Sequence, residues 1–120
     1  MNIFEDYLNK IIALTKINKK TLGLNDLNNF KGVTVESPPV EFNYDLSCNI
    51  ALVLGKVNNI NPKVLAENIK NLILGNLEDF EELKIAGPGF LNLKLTNNFL
   101  ILNINKILDN KKIYGRKNSN

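Results

Sequence analysis

The stretch Leu83–Leu95 reads LKIAGPGFLNLKL, in which two runs of alternating apolar and polar residues flank Gly87-Pro88-Gly89. Alternation at period two is typical of a strand with one buried face, and Gly and Pro are typical of the turn between two strands. The stretch therefore predicts a strand, a turn longer than the two-residue minimum, and a second strand.

The second of these strands has two chemically different faces. If its three leucines face the core, then Phe90, Asn92 and Lys94 face away from it together. A ring that stacks on a base, an amide that reads a base edge and an ammonium that reaches a phosphate suit an unstacked nucleotide. The alternative is that Phe90 packs under a helix as core, with Asn92 a solvated residue of the sheet. Gly87 and Gly89 can be turn residues alone, or can let another backbone approach closely.

The rest of the chain alternates predicted helices with short strands. Apolar residues at helical spacing predict a first helix over about residues 2–17 and a second, with Asp45 as N-cap, that ends near 58–59. They also predict a third that starts at Asn61-Pro62 and stops at Gly75, and a last one that begins near Phe99. Residues 33–36 alternate at period two and predict a short strand. Three to four strands with about four helices indicate an α+β domain whose small sheet is mainly antiparallel.

The composition excludes several classes of protein. With 120 residues, 44% of them hydrophobic, the chain has the size and balance of one globular domain. It has no histidine, which removes the commonest general base, and its single cysteine, Cys48, cannot form an internal disulfide. No apolar run approaches the ~20 residues of a membrane span, so we expect no membrane association and a cytoplasmic location. The net charge of +3 only weakly favours a nucleic-acid partner.

Two polar clusters resemble reactive sites, but a structural role is the better interpretation of both. Cys48 follows Asp45 near the start of the second predicted helix, where a helix dipole could activate a thiol. A lone helical cysteine, however, is usually a small buried apolar residue. The carboxylates between Glu78 and Glu82 lack a repeated ligand spacing and indicate a solvated face. We therefore assign no catalytic residue and no metal ligand.

Four blocks of sequence, taken in order, resemble a single family. They are Val35-Glu36-Ser-Pro38, the segment from Tyr44-Asp45 through Asn49 to Lys56, Asn61-Pro62 through Ile69, and Ile85-Ala86-Gly87-Pro88-Gly89-Phe90-Leu91-Asn92. The family they resemble is the N-terminal additional domain of arginyl-tRNA synthetase, and the resemblance runs from about residue 3 to Gly115. Its most specific part is Ala-Gly-Pro-Gly-Phe-Leu-Asn.

The resemblance implies an α+β domain that touches the outer corner of tRNA, where the D-loop meets the rest of the molecule. The family's base-contacting aromatic and amide match Phe90 and Asn92, and in many members they hold the D-loop base at tRNA position 20, usually adenine. With Lys94, Gly87 and Gly89 they make up the predicted tRNA-binding site, and the implied partner is tRNA(Arg). Residues 42–45 depart from the His-Gly-Asp-like turn of many bacterial members and are assigned no ligand.

The resemblance also implies that the chain is one domain of a larger enzyme. In the family a catalytic domain begins just after a Tyr-Gly pair like Tyr114-Gly115, so we expect a recognition domain over residues 1–115 and the start of a linker over 116–120. The parent would join arginine to tRNA(Arg) using ATP. This segment itself would be non-catalytic and monomeric, hold no cofactor and orient the tRNA for the catalytic domain of the same polypeptide. The alternative is a protein-docking module that uses the same sheet face, with binding that depends little on salt.

Overall fold

The computed structural model describes residues 2–25 and 30–96, and the predicted helix after Phe99 lies outside them. The described elements are α1 (Ile3–Ile17), α2 (Lys19–Leu22), β1 (Val35–Glu36), a 3-10 helix (Val40–Phe42), β2 (Leu46–Cys48), α3 (Ile50–Asn58), α4 (Pro62–Asn76), β3 (Phe80–Ala86) and β4 (Phe90–Leu95). Four α-helices and a four-stranded antiparallel sheet confirm the predicted α+β class. None of the described helices is both long and apolar enough to cross a membrane.

Helices α1 and α4 both begin at an asparagine that caps them. The Asn2 side chain accepts a hydrogen bond from the Phe4 amide at the start of α1. At the start of α4 the Asn61 side chain accepts from the amides of the two residues that follow Pro62, which occupies the first helical position. These caps satisfy amides that have no partner inside the helix. Helix α4 continues one residue past Gly75, where the sequence predicts its end.

The sheet has the strand order β1-β2-β4-β3, so β4 lies between β2 and β3. Asn92, near the middle of β4, is in register with Ser47 of β2 and with Lys84 of β3. Two residues earlier, Phe90 is the first residue of β4 and pairs with Ala86, at the turn that joins β3 to β4. The register fixes which outward side chains of three strands become neighbours.

The core lies between one face of the sheet and the helices. Helices α1, α3 and α4 each contact the sheet. The core includes the largest fully buried side chains of both layers, which are Ile11, Leu46, Ile50, Leu54, Leu65, Ile69, Ile73, Leu91, Leu93 and Leu95. Among the described residues, the helices pack on this inner face, and the segment around the 3-10 helix lies beside the outer face.

The second predicted helix begins later than expected, and Asp45 is not its N-cap. Residues 46–48 form strand β2, and α3 begins at Ile50 after Asn49. Leu46, Ile50 and Leu54 have helical spacing, but Leu46 and Cys48 also alternate with a less buried Ser47, and pairing with β4 selects the strand. The Asp45 carboxylate instead accepts a hydrogen bond from the Leu95 amide at 2.8 Å, which extends the β2–β4 ladder.

The prediction that the carboxylates between Glu78 and Glu82 form a solvated face is wrong at Asp79. Its side chain is buried and accepts a hydrogen bond from the Tyr7 hydroxyl at 2.7 Å, with the Lys10 ammonium at 3.5 Å. The Tyr7 ring also packs against Phe80, with ring centroids 5.3 Å apart. Asp79 is buried where Tyr7 of α1 packs against the start of β3. The glutamates of the segment, Glu78, Glu81 and Glu82, are exposed as predicted.

Candidate functional site

The two faces of β4 are separated as the sequence predicts. Its three leucines are at most 1% exposed and face the core. On the opposite face, Phe90 is 39% exposed and Asn92 lines a surface cavity. The alternative in which Phe90 packs under a helix is therefore wrong. The expectation that Asn92 is a solvated sheet residue is also wrong, since its residue surface is only 5% exposed.

The cavity above Asn92 has a volume of about 380 Å³ and is called here the Asn92 cavity. Its lining comes from the segment before β2, from β2 itself and from the β3–β4 turn: Pro38, Pro39, Phe42, Ser47, Ala86, Gly87, Pro88, Phe90 and Asn92. Most of these side chains are apolar or aromatic. Apolar walls with a few polar groups are the usual construction of a small-ligand pocket, and the volume is within the usual range for one.

Asn92 differs from the other buried polar residues of the described chain. Thr15 donates to the Ile11 carbonyl at 2.8 Å, and Asp79 accepts from Tyr7. No group in residues 2–25 or 30–96 forms a hydrogen bond with the Asn92 carboxamide. A buried amide left without a partner costs about 1–3 kcal/mol, so a ligand that offers a donor and an acceptor gains from binding here.

The two glycines of the predicted site have different surroundings. Gly87, at φ +56°, lines the Asn92 cavity, and a Cβ there would lie 3.8 Å from the Phe90 ring. Gly89, at φ +151°, does not line it. A Cβ on Gly89 would lie 3.0 Å from the Pro62 Cβ and 3.2 Å from the Pro62 carbonyl oxygen, at the start of α4. Gly87 therefore belongs to the cavity, whereas Gly89 allows the turn to pack against α4.

Lys94 lies on the same face but beside the cavity rather than in its wall. Its ammonium donates to the backbone carbonyl of Asn43 at 3.4 Å. This contact joins β4 to the loop between the 3-10 helix and β2. Of the five residues predicted for the site, Phe90, Asn92 and Gly87 are brought together around one cavity, and Lys94 and Gly89 lie next to it.

A second, smaller cavity of about 200 Å³ adjoins the first and is called here the Tyr44 cavity. It is lined by Phe42, Tyr44, Lys84, Ala86 and Asn92. The Tyr44 hydroxyl donates to a Glu82 carboxylate oxygen at 2.6 Å, and this hydrogen bond raises the pKa of Tyr44.

Sequence reasoning did not select Phe42, Tyr44 or Lys84 as site residues. Lys84 alternates with the apolar residues of β3, so the strand pattern contained a signal for its outward position. Its place beside Asn92 depends on the β3–β4 register. Phe42 and Tyr44 lie in a segment without helical or strand periodicity, where no pattern predicts direction.

Cys48 is in a strand rather than a helix, and it is fully buried as predicted. Burial raises the pKa of its thiol to about 12, and a backbone hydrogen bond from Ile50 opposes this only in part. A thiol with such a pKa is a poor nucleophile near neutral pH. In the described parts of the chain, no three His, Cys, Asp or Glu side chains are grouped so that they could hold a metal ion.

The fold and the cavity lie within the region that matches a known family. The family described as "Arginyl tRNA synthetase N terminal domain" matches residues 3–95, a range that contains every element from α1 to β4. This chain belongs to that family. The resemblance seen in the sequence blocks is thereby confirmed.

Relatives of this arginyl-tRNA synthetase domain are found within longer arginine–tRNA ligases. The arginine–tRNA ligase of Pelagibacter ubique (strain HTCC1062) is 40% identical over 122 residues, which cover 98% of this chain and 20% of the relative. That of Bartonella henselae is 37% identical over 123 residues, which cover 97% and 20%. The chain thus spans about a fifth of the length of these relatives.

A crystal structure supports the same fold. The arginyl-tRNA synthetase of Plasmodium falciparum superposes with a TM-score of 0.58 at 22% identity. The superposition covers 90% of this chain and 19% of the other. The described arrangement of helices and sheet is therefore that of a segment of this larger synthetase.

Proposed function

We propose that this domain recognises tRNA(Arg) for an arginine–tRNA ligase by holding one D-loop base in the Asn92 cavity. The observation that carries the proposal is the buried Asn92 carboxamide, which has no hydrogen-bond partner in the described chain and lies beside the exposed Phe90 ring. Membership of the family supplies the class of partner.

Each group of the cavity has a distinct task in this proposal. The base stacks on Phe90, an interaction worth about 1–3 kcal/mol, and its edge hydrogen-bonds with Asn92. A carboxamide presents an acceptor and a donor side by side, which is the pairing that an adenine edge completes. Pro38 and Pro39 form a rigid apolar wall. Because the polar floor is buried, a base that leaves the amide unpaired is disfavoured.

The contribution of this domain to the ligase is placement of the tRNA. In this proposal the catalytic domain of the same cytoplasmic polypeptide binds ATP and arginine and performs the aminoacylation. A contact at the D-loop corner fixes the tRNA relative to that domain, so that binding energy gained far from the reacting atoms contributes to specificity and orientation.

The experiment that tests the proposal is titration of a labelled tRNA(Arg) transcript with the 120-residue chain at several salt concentrations. Phe90→Ala should weaken binding by about 1–3 kcal/mol because the stacking surface is lost. Binding of the parent chain should also weaken as salt rises, because phosphate contacts release counterions.

Val57→Ala is the matched control, since it also truncates a partly exposed apolar residue, but on α3 in the helical layer. It should leave binding unchanged. Equal affinities for Phe90→Ala and the parent chain, or binding without any dependence on salt, would contradict the proposal. The second result would favour a protein-docking module.

A further inference from the structure

The Tyr44 cavity adjoins the Asn92 cavity on the outer face of the sheet. Phe42, Ala86 and Asn92 line both cavities. A single base occupies the larger cavity in the function proposed above, so the smaller one is open to whatever adjoins that base. In a nucleic acid strand the adjoining group is a phosphodiester and the next nucleotide.

The aromatic ring of the Tyr44 cavity is held in place by contacts within the protein. The Tyr44 hydroxyl donates to Glu82 at 2.6 Å, which ties the ring to β3. The preceding residue, Asn43, has φ +59°, and its carbonyl accepts from the Lys94 ammonium on β4. The loop is thus joined to both strands before any ligand arrives. A pre-organised ring loses little conformational entropy when a base stacks on it.

Lys84 supplies a positive charge in the wall of the Tyr44 cavity, next to Asn92, which lines both cavities. It is exposed, lines the Tyr44 cavity and is in register with Asn92 across the β3–β4 ladder. Within residues 2–25 and 30–96 the ion pairs join Lys10 to Asp79 and Lys70 to Glu67, and Lys84 forms none. An ammonium without a carboxylate partner, next to a base-sized cavity, suits a phosphate.

We infer that the Tyr44 cavity is a second nucleotide subsite. It takes the nucleotide adjacent to the one held in the Asn92 cavity, with its base against Tyr44 and the phosphate that links the two nucleotides against Lys84. This inference rests on the proposed function, since it assumes that a base of tRNA(Arg) occupies the first cavity. It assigns roles to Tyr44 and Lys84 that neither their sequence pattern nor the family resemblance indicates.

The test combines protein variants with modified tRNA. Four tRNA(Arg) transcripts are compared. One is intact, one lacks the base at position 20, and the other two each lack the base of one of the two nucleotides adjacent to position 20. Tyr44→Ala should weaken binding of the intact transcript by about 5-fold or more, as expected for a lost stacking contact. This loss should disappear on one of the neighbour-abasic transcripts and persist on the transcript that lacks base 20. Tyr44→Phe keeps the ring but loses the hydrogen bond to Glu82, so it should weaken binding less than Tyr44→Ala does.

Lys84 is tested through the salt dependence of binding. Lys84→Ala should weaken binding of every transcript by a similar factor and reduce the slope of log affinity against log salt by about one. Lys56→Ala removes an exposed lysine from α3 in the helical layer and should leave the slope unchanged. Urea denaturation of each variant establishes that the fold is retained.

The outcomes distinguish the second subsite from the function on which it rests. If Phe90→Ala weakens binding but Tyr44→Ala and Lys84→Ala do not, the second subsite is overturned and the proposed function stands. The subsite is also overturned if Tyr44→Ala weakens all four transcripts equally. If Phe90→Ala has no effect, or the chain does not bind tRNA(Arg), both proposals are overturned.

Discussion

The inner and outer faces of β4 are built from alternate residues of the same six, yet they have different tasks. The inner leucines are fully buried against α3 and α4 and connect the sheet to the helices. On the outer face, the Phe90 ring and the unpartnered Asn92 amide line the Asn92 cavity, and Lys94 lies beside it. Core packing and a candidate binding surface can thus be separated along one strand, because a period of two sends neighbouring side chains to opposite environments.

The largest expected effect comes from the inner face. Leu93→Ala removes a side chain with no exposed surface and leaves a cavity in the core. The free energy of unfolding should fall by about 2–5 kcal/mol, measured by urea denaturation. Its outward neighbour provides the control, since Lys94→Ala should change stability by no more than about 0.5 kcal/mol. Equal costs for the two substitutions would remove the distinction between the faces.

The turn before β4 provides the next largest effect, through its two glycines. Gly89→Ala places a methyl group against Pro62 and forces an L side chain into a φ of +151°, so it should cost about 2 kcal/mol or more. Gly87 has φ +56°, and an added Cβ would make only an ordinary contact with Phe90. Gly87→Ala should therefore lower the free energy of unfolding by about 1 kcal/mol. Thermal or urea unfolding of both variants tests the order, and a larger cost at Gly87 would contradict this description of the turn.

The smallest expected effect on stability distinguishes two buried polar residues. Tyr7→Phe removes a donor from buried Asp79 and should cost about 1 kcal/mol. Asn92→Ala removes a buried amide that has no partner in the described chain, so the free energy of unfolding should change by less than about 0.5 kcal/mol or rise. The same variant should bind tRNA(Arg) more weakly. A destabilisation of Asn92→Ala similar to that of Tyr7→Phe would indicate that the amide serves the fold.

The features of the fold that the sequence predicts are those with strong local signals. The parity of β4, the first helix and the α+β class depend on periodicity, and the Asn61-Pro62 start of α4 depends on capping; both signals are local. Strand β2 is only three residues long and shares apolar spacing with the helix that follows, so pairing with β4 decides its structure.

The remaining features depend on contacts between residues far apart in the chain. Asp79 is buried beneath Tyr7, which lies 72 residues earlier in the chain and donates a hydrogen bond to it. Lys84 lies next to Asn92 because of the β3–β4 register. The positions of Phe42 and Tyr44 depend on a loop that is held by Glu82 and Lys94. Sequence pattern therefore identified the Phe90–Asn92 centre of the candidate site but not the wall contributed by the loop.

The most direct test of the central claim is an amide chemical-shift titration of the isotope-labelled chain with a tRNA(Arg) transcript, because it reports weak binding residue by residue. The Asn92 side-chain NH₂ signal and the backbone amides of residues 86, 87 and 89–94 should shift with tRNA concentration. The amides of α3 and of the C-terminal half of α4 should remain in place. Shifts centred on those helices, with the Asn92 side chain and β4 unchanged, would contradict the assignment of recognition to the outer face of β4.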